Sequence, residues 1–87
     1  MTTDAASLTA EQTAALDALV RDLSVLRPAT LQASDDLVAD LAYDSLGRLE
    51  LIVAMEHEFE LDGVDDDAAV AVRTVGDLRQ LLAEQLA

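Results

Sequence analysis

Leu41-Ala42-Tyr43-Asp44-Ser45-Leu46-Gly47-Arg48-Leu49-Glu50-Leu51-Ile52-Val53-Ala54-Met55-Glu56-His57-Glu58-Phe59 is the stretch that decides the fold. From Ser45 to about Glu60 there is no proline, and most residues are good helix formers. At about 100° per residue, Ile52, Met55 and Phe59 cluster on one side of such a helix, flanked by Leu49 and Leu51. That side is the expected core face. Leu46, Glu50, Val53 and His57 gather on nearly the opposite side. The apolar residues there read either as single exposed side chains, which are common, or as a surface for a partner. Asp44-Ser45 likewise allows two readings. Both residues are favoured helix N-caps, and a serine at a helix N-terminus is also well placed to carry a phosphodiester, because free N–H groups and the helix dipole favour an anion there.

Outward from this helix, Thr9 followed by Gln12 forms a capping box. Leu16, Leu19, Val20 and Leu23 recur at helical spacing, predicting a first helix near 10–25. Pro28 cannot comfortably continue it. Residues 27–43 form a long connection in which Leu31, Leu37 and Leu41 predict packing on the body, with a short turn of helix near 36–40. Leu61-Asp62-Gly63 marks the next break, with Gly63 as C-cap or turn. Asp65-Asp66-Asp67 offers caps for a short helix over 67–72. Thr74 with Asp77 opens a last helix with an apolar stripe of Val75, Leu78, Leu81, Leu82 and Leu86. No segment alternates long enough to be a strand. The expected fold is all-α, a small four-helix bundle of three main helices, a short third helix and a long first loop. Residues 1–8 are the expected flexible tail, and 9–87 a single domain.

At 87 residues, a chain buries only roughly 60–65% of the surface it exposes when unfolded, which disfavours a large internal substrate cavity. The absence of cysteine excludes disulfides and thiolate metal sites. No apolar run approaches the roughly 18 residues of a membrane span, and Met1-Thr2-Thr3-Asp4 lacks the features of a signal peptide. The cytoplasm is the expected location. Eighteen acids face five arginines, for a net charge of −13. Affinity for phosphate backbones needs clustered basic residues, so a nucleic-acid role is excluded. An acidic domain docking on basic partners fits, because opposite charge speeds encounter and suppresses wrong pairings.

Leu41-Ala42-Tyr43-Asp44-Ser45-Leu46, then Leu49-Glu50-Leu51 and Glu56-His57-Glu58-Phe59, resembles the acyl carrier proteins. Length, acidity, the long loop and Thr74-Val75 extend the resemblance over nearly the whole chain. It implies a non-enzymatic carrier with 4′-phosphopantetheine attached covalently to Ser45, which a phosphopantetheinyl transferase supplies from coenzyme A. Asp44, Leu46, Glu50, Val53 and Glu56 match positions that meet partner enzymes, and His57 sits where the family often has another acid. His57 reads otherwise as a solvated helix residue. Met55, Phe59 and Val72 match residues bordering a space for an acyl chain, and read equally as core. The implied partners are ketosynthases, acyltransferases and other biosynthetic enzymes with basic docking patches, met by a monomeric carrier.

Tyr43-Asp44-Ser45-Leu46 resembles carriers of aromatic polyketide systems, with Ala42 in place of a glycine, and fatty-acid carriers share Asp-Ser-Leu. A freestanding peptidyl or aminoacyl carrier and an unmodified acidic adaptor are the alternatives. Gly47 stands where many relatives carry a larger or acidic residue, which relieves crowding beside the arm or removes one partner contact. Val64-Asp65-Asp66 replaces an Ile-Pro-Asp turn. A discrete protein is expected, though an excised domain would look alike.

Two other classes fail on spacing. A Ser-His-Asp hydrolase would need Ser45 beside His57, yet they lie about 18 Å apart on one predicted helix. Glu58, Glu60, Asp62 and Gly63 match the start of a calcium loop, but its twelfth position is Ala69, where a bidentate Glu is required.

Overall fold

Four helices carry the described part of the chain, residues 8–87 of a computed structural model. They are α1 (Ala10–Leu23), α2 (Ser45–Glu58), α3 (Asp66–Ala71) and α4 (Val75–Leu86). The architecture is an all-α bundle, as expected. The expected tail lies outside the described residues except for Leu8, which is half-buried against the core.

Both expected capping boxes form. Thr9 Oγ1 accepts from Gln12 N while Gln12 Oε1 accepts from Thr9 N, and Thr74 and Asp77 repeat the exchange. Each satisfies donors that a helix start leaves unpaired. The first helix ends two residues earlier than expected. Ser24 leaves helical geometry because its buried Oγ donates to Leu41 O at 2.8 Å and accepts from Leu26 N. Leu23, placed in the apolar stripe, is accordingly 44% exposed. At the far end of α2 the left-handed residue is Glu60 (φ 53°), with Leu61 N donating to Glu56 O. That closes the helix in the manner usually left to glycine. Gly63 lies beyond, in a turn at φ 123°.

The core gathers Leu16 and Val20 of α1, Leu51, Ile52 and Met55 of α2, and Val75, Leu78, Leu81 and Leu82 of α4. Leu37, Leu41 and Tyr43 of the long connection join it, with Leu31 half-buried at its margin. That connection is fixed. Leu37 N donates to Arg73 O and Val75 N to Asp35 O, an isolated antiparallel bridge onto the start of α4. Residues 36–42 make the expected single turn, Asp40 N donating to Asp36 O, with Asp36 capping Val38 N and Ala39 N. Those two donors hold the Asp36 carboxyl below the usual carboxylate range. Arg79 joins α4 to α1 through a bidentate pair with Asp17.

One expected core residue and one expected cap fall out differently. Leu49 is 58% exposed, because α2 turns Leu51 and Met55 toward the other helices. The short helix α3 buries none of its residues, and Asp65, its N-cap, makes no side-chain capping bond.

Candidate functional site

The loop that leads into α2 is held at each step, and this sets where Ser45 sits. Ala42 is left-handed, at φ 63°. A Cβ there is unfavourable, which accounts for the preference for glycine at such a position. Tyr43 then turns inward. Its N donates to Leu37 O at 2.8 Å, and its buried hydroxyl donates to Val20 O at 2.7 Å. Burial, with a smaller contribution from the Asp22 charge, pushes the phenol up to about 12. Asp44 follows as the N-cap, accepting from Gly47 N at 2.6 Å. Asp44 therefore takes the capping role, and Ser45, the first residue of α2, is exposed.

Gly47 explains itself at this point. A Cβ there would lie 3.0 Å from Asp44 Oδ1 and 3.2 Å from Tyr43 Cδ1. Its absence lets the cap and the tyrosine close on the backbone beside Ser45. The crowding relieved is internal to the site.

Two surfaces run along α2, the first of them lined by Ser45 itself. One is a groove of about 560 Å³ between α2 and α3, lined by Ser45, Arg48, Leu49, Ile52, Asp66, Ala69 and Val70. Leu49, Ile52, Ala69 and Val70 supply its apolar wall, and Arg48 and Asp66 its charges. The other is a shallow apolar depression of about 330 Å³ along the outer face of α2. Leu46, Leu49, Glu50, Val53, Ala54 and His57 line it. Leu46 and Val53 are 63% and 50% exposed.

Of the residues singled out as docking positions, Leu46, Glu50, Val53 and His57 thus share one face, and Asp44 stands at its N-terminal end as a cap. Glu56 does not join them. It is half-buried, and its Oε2 accepts from Val64 N at 2.6 Å, holding the turn that approaches α3. Met55 and Val72, read as bordering an acyl space, are buried core, and Phe59 is half-buried against that core. None of the three lines the groove; Leu49, Ile52, Ala69 and Val70 do. Ser45 and His57 occupy opposite ends of the unbroken α2.

Sequence reading passed over Arg48. Its Nη1 donates across the groove to Val72 O at 3.1 Å, and its buried Nε has no partner among the described residues. A signal existed, because twelve acids and one arginine occupy residues 35–67, and that arginine lies one helical turn after Ser45.

The residues fit a phosphopantetheine group. An exposed serine hydroxyl opens on an apolar groove, with a cation nearby to offset the added anion. The comparisons with known proteins agree. The family described as "phosphopantetheine attachment site" matches residues 14–82. An acyl carrier protein of Phenylobacterium zucineum is 37% identical over 59 residues, covering 68% of this chain and 73% of its own length. One from Bdellovibrio bacteriovorus is 38% identical over 69 residues, covering 79% and 86%. A solved structure from Mycobacterium tuberculosis, assigned as an acyl carrier protein, superposes with a TM-score of 0.76. It shares 31% identity and covers 84% of this chain and 96% of that one. With the bundle, the family match and these relatives in agreement, the chain belongs to the acyl carrier proteins, non-catalytic carriers of 4′-phosphopantetheine attached to a serine.

Proposed function

We propose that Ser45 is the attachment residue, and that the chain delivers acyl groups to polyketide or fatty-acid biosynthetic enzymes. The observation that carries this reading is the exposed Ser45 at the start of α2, between an apolar groove and an apolar outer face. Modification would join Ser45 Oγ to the pantetheine phosphorus of coenzyme A and release adenosine 3′,5′-bisphosphate. When bound, the group supplies a flexible arm whose terminal thiol holds acyl cargo as a thioester. The chain's own contribution is to anchor the arm and present it, raising the local concentration of cargo at each active site.

Leu46, Val53 and Glu50 on the outer face of α2, with Asp44 and His57 at its ends, form the docking surface we assign. Glu56 supports the groove instead. A net charge of −13 fits brief, salt-sensitive encounters with surfaces rich in Arg and Lys, because exposed charges act over about a Debye length. The transferase, ketosynthases and acyltransferases are the partners this surface suits. No helix among the described residues is long and apolar enough to cross a membrane.

Intact mass after incubation with coenzyme A and a broad-specificity phosphopantetheinyl transferase tests the reading. One phosphopantetheinyl group should appear on the parent and none on Ser45→Ala. No gain with several active transferases would leave an acidic adaptor of the same fold as the function.

A further inference from the structure

Arg48 is the one cationic side chain among the acids of residues 35–67, and the carrier role leaves it unexplained. It sits three residues after Ser45 and lines both the α2–α3 groove and the adjoining depression formed by Asp36, Val38, Ala39 and Arg73. It is half-buried. The ion pair found among the described residues joins Arg79 to Asp17, so Arg48 has no carboxylate at that distance. Of its donors, Nη1 reaches Val72 O and Nε is buried without a partner.

The far end of that bond matters. α3 buries no residue and has no side-chain cap. Two polar contacts from α2 bracket it. Glu56 holds Val64 N ahead of its start, and Arg48 holds Val72 O just past its end. A guanidinium bonded to one neutral carbonyl lacks the opposite charge and the bidentate geometry that an anion offers. Helical side chains lean back over the preceding turn, which from Arg48 is the turn of Ser45. The planar guanidinium is also the side chain best matched to a phosphate.

Resting on the assignment of Ser45, we propose that Arg48 is the built-in counter-ion of the phosphodiester formed there. The new anion, placed beside the Asp44 carboxylate, draws Arg48 off Val72 O. Attachment of the arm thereby frees the C-terminal end of α3 and loosens the groove wall. Asp36 lines the adjoining depression with Arg48 and Arg73 and feels both charges, and Asp66 lines the groove from the start of α3. Asp36 is already held by Val38 N and Ala39 N, and it shares its surroundings with Arg73. That leaves Arg48 available to the phosphate.

The test compares apo and transferase-modified protein, with Arg48→Gln alongside, by amide hydrogen exchange and side-chain ¹⁵N NMR. Intact mass first establishes modification of Ser45. In the parent, modification should shift the Arg48 Nε resonance and speed amide exchange over 69–72 by roughly fivefold, the equivalent of one ordinary hydrogen bond. Apo Arg48→Gln should already exchange at the faster rate, and its modification should add nothing further. Modification that leaves Arg48 Nε and residues 69–72 unchanged in the parent overturns the counter-ion proposal alone. An equal apo-to-modified change in Arg48→Gln overturns it too, by showing a merely structural role. Absence of any mass gain overturns the assignment of Ser45, and the proposal with it.

Discussion

α3 and α4 follow one another along the chain, both begin after acid-rich or capping segments, and they are held in opposite ways. α4 starts with a complete capping box and buries Val75, Leu78, Leu81, Leu82 and Ala83. α3 has a capping residue that caps nothing with its side chain, and no buried residue. The first belongs to a body closed by apolar contact with α1 and α2. The second is a wall beside that body, resting on it through half-buried Ala68 and Ala69 and tethered by Arg48 and Glu56. Burial is cooperative and hard to reverse locally, whereas two hydrogen bonds can be exchanged for others. The helix beside Ser45 is thus the more weakly held of the two.

The largest test of this contrast is a pair of truncations. Leu82→Ala should cost about 2–5 kcal/mol in denaturant unfolding, because it empties a site with no exposure. Val70→Ala on α3, where the side chain is 73% exposed, should stay within about 0.5 kcal/mol. Equal losses would break the distinction between body and wall.

Tyr43 ties the body to the loop before Ser45, and its removal should come next in size. Tyr43→Phe loses the bond to Val20 O, worth about 1 kcal/mol. The pH dependence has a definite sign. The folded phenol lies near 12, above its ordinary value of 10.0. Its contribution is therefore complete below about pH 10 and is lost as pH rises through 12. The chain has one tyrosine and no lysine, so few other groups titrate there. The urea midpoint of the parent should fall between about pH 9 and pH 11.5, and that of Tyr43→Phe should fall less. Identical slopes would show that Tyr43 is not holding the body.

The caps sharpen the comparison further. Thr74→Ala should destabilise by about 1 kcal/mol, since it removes the capping bond to Asp77 N. Asp65→Ala, whose side chain makes no such bond, should change stability by no more than about 0.5 kcal/mol. Thermal melts of both would decide it. Smallest globally is Glu56→Gln. It weakens the charged acceptor of Val64 N, and exchange of that amide should rise about fivefold while Leu78 in α4 is unaffected.

Much of this was legible in the linear chain, and the reason is locality. Capping boxes at Thr9 and Thr74, the helical run after Ser45 and the apolar stripes of α1 and α4 depend on residues within one or two turns of each other. So does the Asp-Ser-Leu motif, which is why Ser45 could be singled out and assigned to the start of a helix. Apart from the end of α2, which closes at Glu60 where Gly63 was expected, the misses are non-local. Leu49 was read as core and is exposed, because helical spacing defines an apolar arc but not which part of it a neighbour covers. Tyr43 was read as part of a motif and proved to be core, fixed by a carbonyl 23 positions earlier. Glu56 was read as a docking acid, but its carboxylate turns to Val64.

By itself, then, the sequence determined four helices, their starts and the serine at the head of α2, since each follows from contacts within a few residues. Tertiary structure alone decided that Arg48 spans to Val72, 24 positions away, and that α3 meets the body through half-buried Ala68 and Ala69 and polar contacts from α2, with no residue of its own fully buried. Those outcomes depend on which faces meet once the body has closed, and no local spacing encodes that.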